Sequence, residues 1–85
     1  MKLQQMNPDG PRPIHVIGLE IQQDWKNPHY TAVPYLRAMR ALDYIDDYYE
    51  LDPAAHIVRY FLANARTWRG AKAREIKAEL KGLLK

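Results

Sequence analysis

The chain of 85 residues contains no cysteine and no serine, and only four glycines and one phenylalanine. Without thiols there is neither a disulfide brace nor a thiolate metal site, so stability has to come from packing. No nucleophile–base pair is visible, since serine and cysteine are missing and Thr31 and Thr67 fit cap and turn roles better. Gly10, Gly18, Gly70 and Gly82 lie too far apart for a glycine-rich phosphate loop. His15, His29 and His56 are scattered, without metal-ligand spacing. No apolar run is long enough to cross a bilayer, and the first ten residues lack the apolar block of a secretory signal. These absences predict a cytoplasmic protein that is not an enzyme, uses no cofactor or metal and does not enter a membrane.

Length sets the scale of what remains. A chain this short forms one domain that hides about 60–65% of its unfolded surface, with a stability of roughly 4–9 kcal/mol by per-residue scaling. Residues 1–13 hold Pro8, Gly10, Pro11 and Pro13 with little apolar content, which predicts a flexible, disordered lead-in that contributes no packing. Residues 14–85 then form a single helical domain.

Four amphipathic patterns follow. Ile14, Ile17, Ile21 and Trp25 recur at three- and four-residue spacing, which favours a helix. The β-branched run from Ile14 to Ile21 would also suit a strand, yet no second convincing strand follows to pair with it. Asn27-Pro28 signals a turn, and Thr31 suits the cap of a second helix with Pro34 in its first turn. Tyr35, Ala38, Met39, Leu42, Ile45 and Tyr49 extend that helix to between Tyr48 and Leu51. A cation near Asp46 and Asp47 is then expected, because carboxylates sit badly at a helix C-terminus.

Asp52 as N-cap and Pro53 at the first helical position start the third helix. Ala54, Ile57, Val58, Tyr60, Phe61, Leu62 and Ala65 cover more than half its circumference, so several neighbours must cover it. Its direct sequel to the second helix predicts an antiparallel pair. Trp68 should tuck onto the core before Gly70 breaks the helix. A last helix from Ala71 places Ala73, Ile76, Leu80, Leu83 and Leu84 on one seam between charged flanks. The expected architecture is all-α, a compact bundle of four short helices.

Charge is segregated along the chain despite a net charge of only +3. Asp43, Asp46, Asp47, Glu50 and Asp52 occur without a basic residue among them, whereas Arg59 to Lys85 is dominated by arginine and lysine. The acidic block lacks the donor pattern and central glycine of a calcium loop. Tyr44 and Tyr48 fall on the other side of the second helix from its apolar stripe. Rigid amphipathic rings beside carboxylates suit a protein contact, so Tyr44, Asp47, Tyr48 and Glu50 form the expected contact surface. The partner is an unknown protein. In so small a core, self-association through the seam of the second or fourth helix would add stability, so a homodimer and a monomer stand as equal alternatives.

Asp24-Trp25-Lys26-Asn27, Ala32 to Met39, Ile57 to Ala65, Trp68-Arg69-Gly70 and Ile76 to Leu80 resemble segments of small helical proteins encoded by bacteriophages and prophages. The resemblance spans about Ile17 to Leu84. It brings no activity or catalytic residue. It implies an origin among phage accessory genes, many of whose products bind other proteins.

The alternative is nucleic-acid binding, with Arg66, Arg69, Arg74, Lys77 and Lys81 on phosphates and Trp68 stacking on a base. The weaker field left by Glu75 and Glu79 favours instead a basic flank paired with the acidic block, with Trp68 in the core. A salt titration against nonspecific DNA separates the two. Phosphate contact predicts affinity that falls steeply with salt, and no binding at low salt removes it.

Overall fold

The computed structural model describes residues 10–85, and residues 1–9 of the expected lead-in lie outside the described residues. Ile14, Ile17 and Ile21 are fully buried on one face of α1 (Ile14–Asp24), as their spacing predicts. No side chain caps this helix. The Ile14 N–H donates to the Asp43 carbonyl (2.6 Å) and the His15 N–H to the Leu42 carbonyl (2.9 Å), so donors that a helix start leaves unpaired are met by a distant loop.

That loop explains the main departure from expectation. The second helix, α2 (Val33–Met39), has Pro34 in its first turn but ends well before Tyr48. Beyond Met39 the Leu42 and Asp43 carbonyls are committed to α1. The Asp47 carboxylate then takes the backbone N–H groups of Asp43 (3.1 Å) and Tyr48 (2.8 Å). Short acidic side chains that bond local backbone compete with helix formation, and here they prevail. Asp46 and Asp47 are not at a helix end, so the compensating cation expected beside them is not needed. Thr31 does not cap α2 either: Ala32 holds that position, and the Thr31 hydroxyl meets His29 Nδ1 at 2.8 Å.

A loop and then a small hairpin stand where the rest of that helix was expected. Strands β1 (Tyr48–Tyr49) and β2 (Asp52–Pro53) pair antiparallel, Tyr48 opposite Pro53 and Tyr49 opposite Asp52. The all-α expectation is corrected accordingly: the domain is mostly helical, with a two-stranded sheet between α2 and α3. Asp52 is therefore a strand residue and not a cap. Pro53 precedes α3 (Ala54–Ala63) in an extended conformation, and the Ala54 N–H donates to the Asp47 carbonyl at 2.8 Å.

Gly70, at φ 112°, occupies backbone space that L side chains rarely adopt, and α4 (Ala71–Leu83) starts directly after it. Among the described residues these four helices enclose one core of Ile14, Ile17, Ile21, Leu36, Met39, Leu42, Val58, Phe61, Trp68, Ile76, Leu80 and smaller neighbours. Helix α1 packs on α2 and α4, and α2 packs on α3. Helices α2 and α3, expected as an antiparallel pair, do pack on one another, and Thr31, before α2, and Asn64, after α3, line one depression. Arg40, just after α2, lies across Gly18: a Cβ there would meet Arg40 Cδ at 2.9 Å and Met39 Cβ at 3.7 Å, so a larger residue would displace the arginine side chain.

The end of the lead-in does pack, contrary to expectation. Arg12 makes a two-pronged contact with Glu79 on α4 (2.9 and 2.7 Å) and reaches Glu20 on α1 at 2.9 Å. Lys72 completes the network at 3.2 Å from Glu20. Arg12 and Lys72 together hold the Glu20 carboxyl below the usual carboxylate range. The basic flank thus pairs with α1 at Lys72, and not with the acidic block.

Phe61 is wholly buried and edge-on to two tryptophans, Trp25 and Trp68, with ring centroids 6.3 Å away in each case. Phe61→Ala removes that contact and leaves a cavity, and is expected to cost about 3–5 kcal/mol. Urea denaturation measures it; a midpoint close to wild type would place Phe61 outside the core.

Candidate functional site

The hairpin is built so that alternate residues face opposite ways. Tyr49 packs against the core while Tyr48 is 62% exposed, as the period of two along a strand requires. The two residues between the strands are Glu50 and Leu51. Glu50 has φ 57°, the one positive φ outside glycine among the described residues. A left-handed non-glycine residue costs roughly 1–2 kcal/mol. Positive φ at only the first turn residue matches the handedness that a tight hairpin needs. The turn leaves Leu51 94% exposed, flanked by the exposed Glu50 and Asp52.

Asp47 is what holds this tip in place. Its two carboxylate oxygens accept from Asp43 and Tyr48, and its own carbonyl accepts from Ala54, so one residue ties the loop, β1 and the start of α3 together. The backbone N–H groups of Asp43 and Tyr48 keep its carboxyl below the usual aspartate range. Of the four residues expected to form the contact surface, Tyr44, Tyr48 and Glu50 are exposed and Asp47 supports them from beneath. Leu51, the most exposed large apolar side chain of the described residues, was not among them. A leucine between Glu50 and Asp52 was the available signal. A helix continued through this stretch conceals it.

The basic residues are arranged otherwise. Trp68 is 2% exposed, stacks on Trp25 at 5.8 Å and donates its indole N–H to Asp24 at 2.8 Å. It is a core residue with its polar edge satisfied, not a platform for a base. Lys77 donates to the carbonyls of Ala65 and Trp68, both at 2.7 Å, and so closes the end of α3 and the loop behind it. Burial, together with the nearby charges of Lys81 and Arg69, lowers its pKa from the ordinary lysine value. Arg66, Arg69, Arg74 and Lys81 are exposed and, among the described residues, form no salt bridge.

No known protein family, curated protein or solved structure matches the chain. Its own geometry therefore carries the functional argument. Among the described residues no helix is long and apolar enough to cross a membrane. No group of three or more histidine, aspartate or glutamate side chains among them is placed to hold a metal ion. His15 and Asp43 approach to 3.5 Å, beside the backbone contacts that join α1 to the loop.

Among the surface depressions of the described residues, an open groove of about 340 Å³ lies between the end of α1 and the start of α2. Trp25, Pro28, Val33 and Leu36 line it together with Gln22, Lys26 and Arg37.

The lowered Asp47 value gives a pH test with a definite sign. Ionised Asp47 stabilises the loop above the ordinary aspartate range, and this contribution is lost as pH falls through the lowered folded value. NMR titration of the carboxyl carbon should show a midpoint below that of a free aspartate, with the Tyr48 amide shift following it. Asp47→Ala should abolish the Tyr48 response.

Proposed function

We propose that this chain is a non-enzymatic protein-interaction module whose contact element is the tip of the hairpin, Tyr48, Glu50 and Leu51, with Tyr44 beside it. The observation that carries the reading is Leu51, an apolar side chain almost wholly in water on a turn braced by Asp47. Covering such a side chain is worth about 1.5–3 kcal/mol. A tip already fixed in shape loses little freedom on binding, so more of that gain appears as affinity. Left-handed Glu50 supports the same reading, since backbone strain gathers at functional positions. The carboxylates of Glu50 and Asp52 select a partner with an apolar recess and a basic rim.

An accessory role in a phage or prophage, in the host cytoplasm, is part of this proposal and rests on the sequence resemblance. The second reading, nucleic-acid binding, draws on the exposed Arg66, Arg69, Arg74 and Lys81, which form no salt bridge among the described residues. It loses Lys77 to two backbone carbonyls and Trp68 to the core.

The test uses the full chain with a photo-crosslinking residue at position 51 and, as control, at the exposed position Gln23. Position 51 should yield a discrete protein adduct that nuclease leaves intact and position 23 should not, with Tyr48→Ser reducing the yield several-fold. Bound material that disappears with nuclease and with Arg66→Glu/Arg69→Glu would transfer the function to the basic residues.

A further inference from the structure

The hairpin tip and the groove between α1 and α2 are complementary. The tip offers Leu51 and Tyr48 between the carboxylates of Glu50 and Asp52. The groove offers an apolar floor of Trp25, Pro28, Val33 and Leu36, with exposed Lys26 and Arg37 on its lining. Among the described residues neither Lys26 nor Arg37 forms a salt bridge, nor do Glu50 and Asp52. Its volume of about 340 Å³ is ample for a leucine side chain and the edge of a tyrosine ring.

One molecule cannot bring the two together. The tip adjoins the start of α3 and the loop that caps the start of α1, whereas the groove is made by the end of α1 and the start of α2. Eleven residues of α1 place these ends about 16 Å apart along that helix. Resting on the reading of the hairpin as a contact element, we infer that the tip docks in the groove of a second copy of this chain. Because tip and groove lie at opposite ends, an antiparallel pair makes both contacts at once, with Glu50 and Asp52 of each copy facing Lys26 and Arg37 of the other. Such a contact repeated by symmetry is the usual basis of a small homodimer. Opposed charges set its register and its salt dependence, and Leu51 supplies the apolar anchor.

Charge reversal tests the pairing. Sedimentation velocity of the full chain at low salt should show mass rising with concentration to that of a pair, and falling back in high salt. Leu51→Ala should weaken the association at least about tenfold, the effect of losing a central anchor. Glu50→Lys/Asp52→Lys and Lys26→Glu/Arg37→Glu should each be monomeric when alone and associate when mixed, because the reversed tip of one then meets the reversed groove of the other. Unchanged far-UV circular dichroism verifies that each variant is folded. A wild-type chain that stays monomeric at about millimolar concentration, where even weak association shows, overturns the inference. So does association that neither reversal changes, or variants that fail to associate when mixed. If the pair fails while the crosslink at position 51 still captures a different protein, the hairpin keeps its contact role and only the second copy is eliminated.

Discussion

The structure depends on how three aromatic rings are brought together. Trp25 at the end of α1 stacks on Trp68 in the loop after α3, and Phe61 of α3 meets both edge-on. With no cysteine to form a disulfide in so short a chain, this cluster joins the end of α1 to α3 and the loop after it, which lie far from α1 in sequence. Buried indole rings require partners for their N–H groups. Asp24 provides the one for Trp68, while Lys77 occupies the carbonyls of Ala65 and Trp68. Two residues that look like surface charges in the sequence thus complete the polar side of the core.

The same economy operates at the other end. The start of α1 has no capping side chain and takes the Leu42 and Asp43 carbonyls. That ends the second helix early and frees Asp43 to Pro53 to form a loop and hairpin. Asp47 then fixes the hairpin on α3. The exposed tip is therefore a direct product of how a distant helix start satisfies its hydrogen bonds. A strong local preference for helix in this stretch would have removed the tip altogether.

Charge follows the helix axes. Glu50 and Asp52 stand near the positive N-terminal end of α3, and Lys77 lies at its negative C-terminal end, an arrangement that the helix dipole favours. Of the two blocks visible in the sequence, the acidic one supplies the loop and the hairpin tip, while the exposed Arg66, Arg69, Arg74 and Lys81 are spread over the loop after α3 and along α4. The fold itself uses little of this: Arg12, Glu20, Lys72 and Glu79 form the main ion-pair network, and they join the lead-in, α1 and α4.

Apolar periodicity was enough to place α1, the body of α3 and α4, because Ile14, Ile17, Ile21, Ile57, Val58, Phe61, Ile76 and Leu80 repeat at helical spacing and that spacing fixes a buried face. The connecting run from Arg66 to Gly70 was legible too, with Trp68 tucked onto the core and Gly70 as a break. Periodicity misled between Met39 and Pro53, where Leu42, Ile45 and Tyr49 continue a helical stripe without a helix. Those residues do face the core, but on a loop and a strand, since half-buried side chains at suitable intervals look alike on either backbone. What decided the matter was the demand of the α1 N–H groups for carbonyls and of Asp43 and Tyr48 for the Asp47 carboxylate. Both are contacts between segments or turns that carry no periodic trace. Tyr44, Tyr48 and Glu50 were legible as exposed polar and aromatic residues, whereas the supporting role of Asp47, the projection of Leu51 and the groove at Trp25 and Leu36 exist only once the chain is folded.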